Sequence, residues 1–130
     1  MKDVMSTNIK SVDPEMNMIE VQDLFKMYHF HHLPVLVEGS LVGIISHTDF
    51  LKIAEGIALV REYETFDEKK ILSKVTVDRI MTRNPFTVPP DTAISEVAEV
   101  FSKEKFHAIP VMDKGELVGI ISHHDINYYI

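Results

Sequence analysis

Apolar and polar positions alternate along this chain in a figure that occurs twice. Leu33-Pro34-Val35-Leu36-Val37 and Leu41–Ile45 are two apolar runs separated by Glu38-Gly39, and a glycine turn between such runs predicts a β-hairpin. The same figure returns around Asp113-Lys114-Gly115-Glu116. The runs hardly alternate, which predicts strands covered on both faces. Upstream of each hairpin the period changes. Met18, Val21, Phe25 and Tyr28, and later Ile94, Val97 and Phe101, recur at three- and four-residue steps and predict a helix with one apolar stripe. Ile9–Val12 and Pro85–Val88 precede these helices and stop at proline turns, so each reads as a brief strand or extended segment. A further helix is expected from Asp49 to about Glu64, carrying Phe50, Ile53, Ile57 and Val60.

A shift of 76 residues lays Val4–Phe50 on Ile80–Ile126 without a gap, and 20 of the 47 pairs are identical. Leu41–His47 and Leu117–His123 match at every position. Two copies are too few for a solenoid. The expected architecture is therefore α/β (α+β): two β-α-β-β-α repeats packed with pseudo-twofold symmetry. Residues 1–60 form the first repeat, 61–77 a charged and helical linker, and 78–130 the second repeat. Only five residues follow Asp125, so the last helix is expected to be one turn long, or the chain to be part of something larger.

A net charge of −7 weighs against non-specific nucleic-acid binding, which depends on Lys and Arg neutralising phosphates, but leaves a small anionic ligand open. The absence of cysteine excludes disulfides and thiolate zinc sites. No apolar run nears the roughly 18 residues of a membrane span, and MKDVMSTNIK lacks a signal-peptide core. A cytoplasmic setting fits, with neither membrane nor nucleic acid as partner.

Chemistry concentrates in Gly-Ile-Ile-Ser-His-x-Asp, repeated at Gly43–Asp49 and Gly119–Asp125 where a strand becomes a helix. One reading is structural: Ser46 and Ser122 cap helices, with Asp49 and Asp125 against the positive end of the dipole. The other is functional. The glycine lets a ligand approach the backbone, free N–H groups at the helix start favour an anion, and the carboxylate accepts ribose hydroxyls. The two are compatible. Neither a Gly-x-x-x-x-Gly-Lys-Ser loop nor Gly-x-Gly-x-x-Gly occurs. Ser46-His47 are sequence neighbours and point apart, which argues against a hydrolase and leaves no catalytic residue to name. Of the seven histidines, His29 reads as a surface residue, while His31 and His107 match each other and suit either structure or phosphate contact. A transition-metal site from His47, His123 and His124 stays open, without a helical His-x-x-x-His pair to support it. The seven methionines read as core filler.

The ordered motifs resemble a CBS-domain pair, the Bateman module. They are His-x-Leu/Ile-Pro-Val (His31–Val35, His107–Val111), the glycine hairpin turn, Gly-x-x-Ser-x-x-Asp, and the opening Met-Ser-Thr-Asn and Met-Thr-Arg-Asn. That resemblance implies a regulatory module whose two clefts between the repeats take an adenosine-type nucleotide such as AMP, ADP, ATP or S-adenosylmethionine. It requires no cofactor and assembles as a flat homodimer of pairs with helices at the interface. By the same resemblance, one cleft takes Ser46 and Asp49 with Pro85, Phe86, Thr87, Phe106, His107 and Ala108. The other takes Ser122 and Asp125 with Ile9, Lys10, Ser11, Phe30, His31 and His32. Lys10 in one cleft against Phe86 in the other points to unequal sites. The rival is a ligand-free interaction or dimerisation domain in which the aspartates only cap helices.

Overall fold

The computed structural model describes residues 5–7, 9–28, 31–61, 68–103, 107–123 and 125–126. Its elements are α1 (Met18–Tyr28), β1 (His32–Val37), β2 (Ser40–Ser46), α2 (His47–Arg61), α3 (Glu68–Leu72), α4 (Val77–Ile80), β3 (Thr82–Arg83), α5 (Ile94–Lys103), β4 (Ala108–Asp113) and β5 (Glu116–Ser122). Both expected hairpins form. Each turns on two residues with positive φ, Glu38 (49°) then Gly39 (82°), and Lys114 (52°) then Gly115 (82°). This is the type I′ arrangement that matches strand twist. Val35 pairs with Gly43 but Leu36 with Leu41, so Val42 is the extra residue of a bulge, and Val118 is its counterpart in the second hairpin. The opening segments are extended and each makes one parallel bridge to its own hairpin, Val12 to Val35 and Val88 to Val111.

β1 and β4 are buried through three consecutive residues, Leu33-Pro34-Val35 and Ile109-Pro110-Val111, as their unbroken apolar runs predict. In β2 and β5 burial alternates, with Gly43, Ile45, Gly119 and Ile121 inside. α1 begins after Asn17, whose Oδ1 accepts the Glu20 N–H at 3.0 Å, a side-chain cap on the first turn. Met18, Val21 and Phe25 enter the core as expected, but Tyr28 is 43% exposed. The apolar stripe ends one turn early, and Lys10 Nζ lies 5.1 Å from the centre of the Tyr28 ring. α2 starts two residues before the expected Asp49. In the linker, α3 and the segment before α4 fold back on the first repeat: Leu72 and Val77 are buried there, Met18 N–H donates to Val75 O, and Val77 N–H to Met16 O, both at 2.9 Å. Residues 62–67 of that linker and 127–130 of the expected last helix lie outside the described residues.

One tertiary feature ties the two repeats together. Ser6 from the first opening segment exchanges both hydrogen bonds with Ile120 of β5, at 2.9 and 3.0 Å. Reciprocally, Thr82 and Arg83 of β3 pair with Ile44 and Gly43 of β2. Each repeat thus closes the hairpin edge of the other, an arrangement that leaves less unpaired backbone for stray pairing.

Candidate functional site

The repeated motif builds the same local structure twice. At the β2–α2 junction Ser46 N–H donates to Asp49 Oδ2 and Asp49 N–H donates to Ser46 Oγ, both at 3.0 Å. Ser122 and Asp125 repeat this reciprocal pair at 2.9 and 3.1 Å. These are capping boxes with aspartate as the acid. The adjacent N–H groups are also engaged: His47 donates to His31 O at 2.8 Å, and His123 to His107 O at 3.0 Å. The helix start was expected to offer free backbone donors to an anion, and here three of them are already committed. A carboxylate accepts about four hydrogen bonds, so each aspartate keeps acceptor capacity beyond its cap.

The motif glycines also depart from expectation. A Cβ at Gly43 would lie 2.5 Å from Met81 Sδ and 2.9 Å from Thr82 O. At Gly119 it would collide with Met5 and lie 3.2 Å from Ser6 O. The glycines admit the methionine and backbone of the opposite repeat's opening segment, so on that side the space is filled by protein. Met5 and Met81 carry the opening motif, and both pack on apolar clusters, in keeping with methionine as filler.

The other candidate residues fall into two groups. His31, exposed, has its ring 6.4 Å from that of His47, which in turn packs edge-on to Phe25 at 5.1 Å. His123 meets Phe101 in the same way at 5.6 Å. His32 opens β1 opposite Ser46, and Ala108 opens β4 opposite Ser122. His32 is half-buried, and burial lowers its pKa from the ordinary 6.5 to about 4; His107 and His31 push the same way, while Asp49 and Asp125 oppose. Its imidazole therefore lies within electrostatic reach of both aspartates and of the histidines that precede both β1 and β4.

The second group lies elsewhere. Ile9 and Ser11 line a cavity of about 570 Å³ with Leu36, Gly39, Gly115 and Leu117, at the hairpin-turn end of both repeats. Six residue steps of β5 separate Glu116 at that end from Ser122, roughly 20 Å of strand, and neither Ser122 nor Asp125 lines the cavity. Lys10 and Thr87 are exposed, Pro85 is half-buried, and Phe86 is 44% exposed. Phe30, Phe106, His29 and His124 lie outside the described residues. Among the described residues no group of three or more His, Asp or Glu side chains is placed to hold a metal ion. Nor is any described helix long and apolar enough to cross a membrane. Ala108 and His32 occupy equivalent positions at the starts of β4 and β1, so this position carries an imidazole in the first repeat and none in the second.

Comparison with known proteins bears on the family and the fold. The family model described as CBS domain matches residues 1–56 and again 77–130. Inosine-5'-monophosphate dehydrogenase of Korarchaeum cryptofilum is 28% identical over 122 residues, which are 93% of this chain and 22% of that protein. The chain spans about a fifth to a third of the length of the first curated relatives it matches. The CBS domain pair of protein MJ0100, solved in complex with 5-methylthioadenosine and S-adenosyl-L-methionine, superposes with a TM-score of 0.78 at 30% identity over 98% of this chain and 96% of that one. CBSX2 in complex with AMP superposes at 0.77 with 26% identity, over 98% and 93%. With two family matches on two matching halves, and whole-chain agreement with solved pairs, this chain belongs to the CBS-domain family as a tandem pair of CBS domains.

Proposed function

We propose that this chain is a regulatory binding module, not an enzyme, and that an adenosine-containing ligand occupies clefts between its two repeats. The observation that carries this reading is the Ser–Asp pair built identically at the strand–helix junction of both repeats. The complexes of CBSX2 with AMP and of the MJ0100 pair with 5-methylthioadenosine and S-adenosyl-L-methionine support it. In one cleft Ser46 and Asp49 hold the ribose, with Pro85, Phe86, Thr87, His107 and Ala108 around the base and phosphate. In the other Ser122 and Asp125 do so, with His31 and His32, whereas Ile9 and Ser11 line the cavity at the hairpin-turn end. Because the backbone donors at both helix starts are engaged in caps, His31 and His107 are the better phosphate partners. Ligand shifts the relative arrangement of the repeats only through different affinity for the two arrangements. The module works as a homodimer of pairs. Exposed Met27 and Tyr28 on α1 and Leu51 on α2 support a helical interface, and sedimentation at micromolar concentration tests it.

The capping boxes favour a second reading, a ligand-free interaction domain. A thermal-shift scan with millimolar AMP, ADP, ATP, S-adenosylmethionine and adenosine separates the two. Binding to the native state alone adds about 2.7 kcal/mol at ~100 times the dissociation constant. No shift with any of the five refutes the sensor.

A further inference from the structure

The two hairpin turns meet at the far end of their strands from the Ser–Asp pairs. Gly39 and Gly115, the glycines of the two turns, line one cavity of about 570 Å³, a size usual for small-molecule sites. Its lining is graded. Ile9, Leu36 and Leu117 are half-buried, whereas Glu38, Ser40 and Glu116 are exposed, so an apolar floor lies under a polar rim. Each hairpin contributes one carboxylate to that rim. Among the described residues neither carboxylate joins an ion pair or accepts a hydrogen bond, and Lys114, next to Gly115 in the chain, does not line the cavity. The internal repeat shows that this pairing of carboxylates is one-sided. A shift of 76 residues carries Glu38 to Lys114 and Ser40 to Glu116. The pseudo-twofold equivalent of the cavity therefore presents Lys114 and Ser40 where this one presents Glu38 and Glu116.

We propose that this cavity is a further binding site, separate from the nucleotide clefts, for a linear diamine or polyamine. The lining selects that class of ligand. An ammonium group at each end answers one carboxylate from each hairpin, and the alkyl chain between them covers Ile9, Leu36 and Leu117, taking apolar surface out of water. A bare divalent cation meets the charges but leaves the floor wet, and a monoamine reaches one carboxylate only. The Ser11 and Ser40 hydroxyls offer further acceptors for N–H groups. The chain's net charge of −7 favours the approach of a cation. Ion pairs on an exposed rim are weak one at a time, each worth a factor of about two to five in affinity, so the amine binds at millimolar concentration. One molecule binds per chain, because Lys114 repels an amine on the equivalent side. Glu38 belongs to the first repeat and Glu116 to the second, so the bound amine ties the tips of the two hairpins together. The site stands whether or not a nucleotide binds.

The experiment follows the backbone amide resonances of the full chain by NMR during titration with spermidine, and in parallel with butylamine and with magnesium chloride at matched ionic strength. The expected result is that Gly39, Ser40, Gly115 and Glu116 shift together and saturate with spermidine, and respond more weakly to the other two. Glu38→Gln and Glu116→Gln should each weaken spermidine by about two- to five-fold. Both positions are exposed, so neither change threatens folding. Glu55→Gln, which alters an exposed carboxylate on α2 outside the cavity, should leave the affinity unchanged. A titration in which the two turns do not shift together and saturate overturns the proposal. An equal response to magnesium overturns it as well, since that is counter-ion binding to an acidic surface, and so does an equal response to butylamine. Equal spermidine affinity in wild type and both cavity variants has the same consequence.

Discussion

Replacing His32 with alanine should flatten the acid limb of this protein's stability curve. Burial holds the His32 imidazole at about 4 in the folded chain, against the ordinary 6.5 it regains on unfolding. Between these values the unfolded chain binds a proton that the folded chain refuses, so stability rises with pH through the window and is lost on acidification. At 1.36 kcal/mol per pH unit, the loss attributable to His32 is about 2 kcal/mol at pH 5 and approaches about 3 kcal/mol at pH 4. Water reaches part of the half-buried ring, and solvent screening makes these figures upper bounds. For a chain of 130 residues, 2 kcal/mol corresponds to roughly 6–12 °C in melting temperature. The assay is urea denaturation of wild type and His32→Ala at half-unit steps from pH 7.5 to 4.5. Carboxylates and the remaining histidines contribute to both curves, so the difference isolates His32. It should grow steadily below pH 6.5 in the variant's favour. A difference that stays flat across the window refutes the burial argument, whatever its value at pH 7.

The other predictions concern the motif's scaffolding. Gly43→Ala should cost about 1–3 kcal/mol by overpacking and more than Gly119→Ala, because at Gly43 the obstacle includes the Thr82 carbonyl at 2.9 Å, against 3.2 Å for Ser6 O at Gly119; chemical denaturation of both variants gives the order, and a reversed order contradicts the exchange geometry. Asp49→Ala and Asp125→Ala should each lower stability by about 1 kcal/mol through the lost cap and each remove one nucleotide site. Titration that finds both sites at full affinity in both variants leaves the aspartates as caps alone. Asn17→Ala should cost about 1 kcal/mol by opening the first turn of α1 without altering nucleotide affinity, and an affinity loss there would mean that α1 couples to the clefts.

The sequence by itself determined the elements and their duplication. Short unbroken apolar runs and a 3.6-residue period are local properties of the chain, so β1, β2, β4, β5, α1 and α5 were legible from where apolar residues fall, and Glu38-Gly39 and Lys114-Gly115 from turn chemistry. The Ser–Asp pairs were legible for the same reason, since a capping box closes within four residues. Tertiary structure alone decided what those elements meet. β3 and Ser6 each pair with the hairpin of the opposite repeat, a contact some 40 residues away in one case and over 110 in the other, for which a two-residue strand carries no pattern. That exchange, and not a ligand, claims the open face of Gly43 and Gly119. Likewise the sequence marks His32 only as a mismatch with Ala108. Its low pKa comes first from burial, with His107 and His31 pushing the same way against Asp49 and Asp125, and burial set by packing is written in no local stretch of the chain.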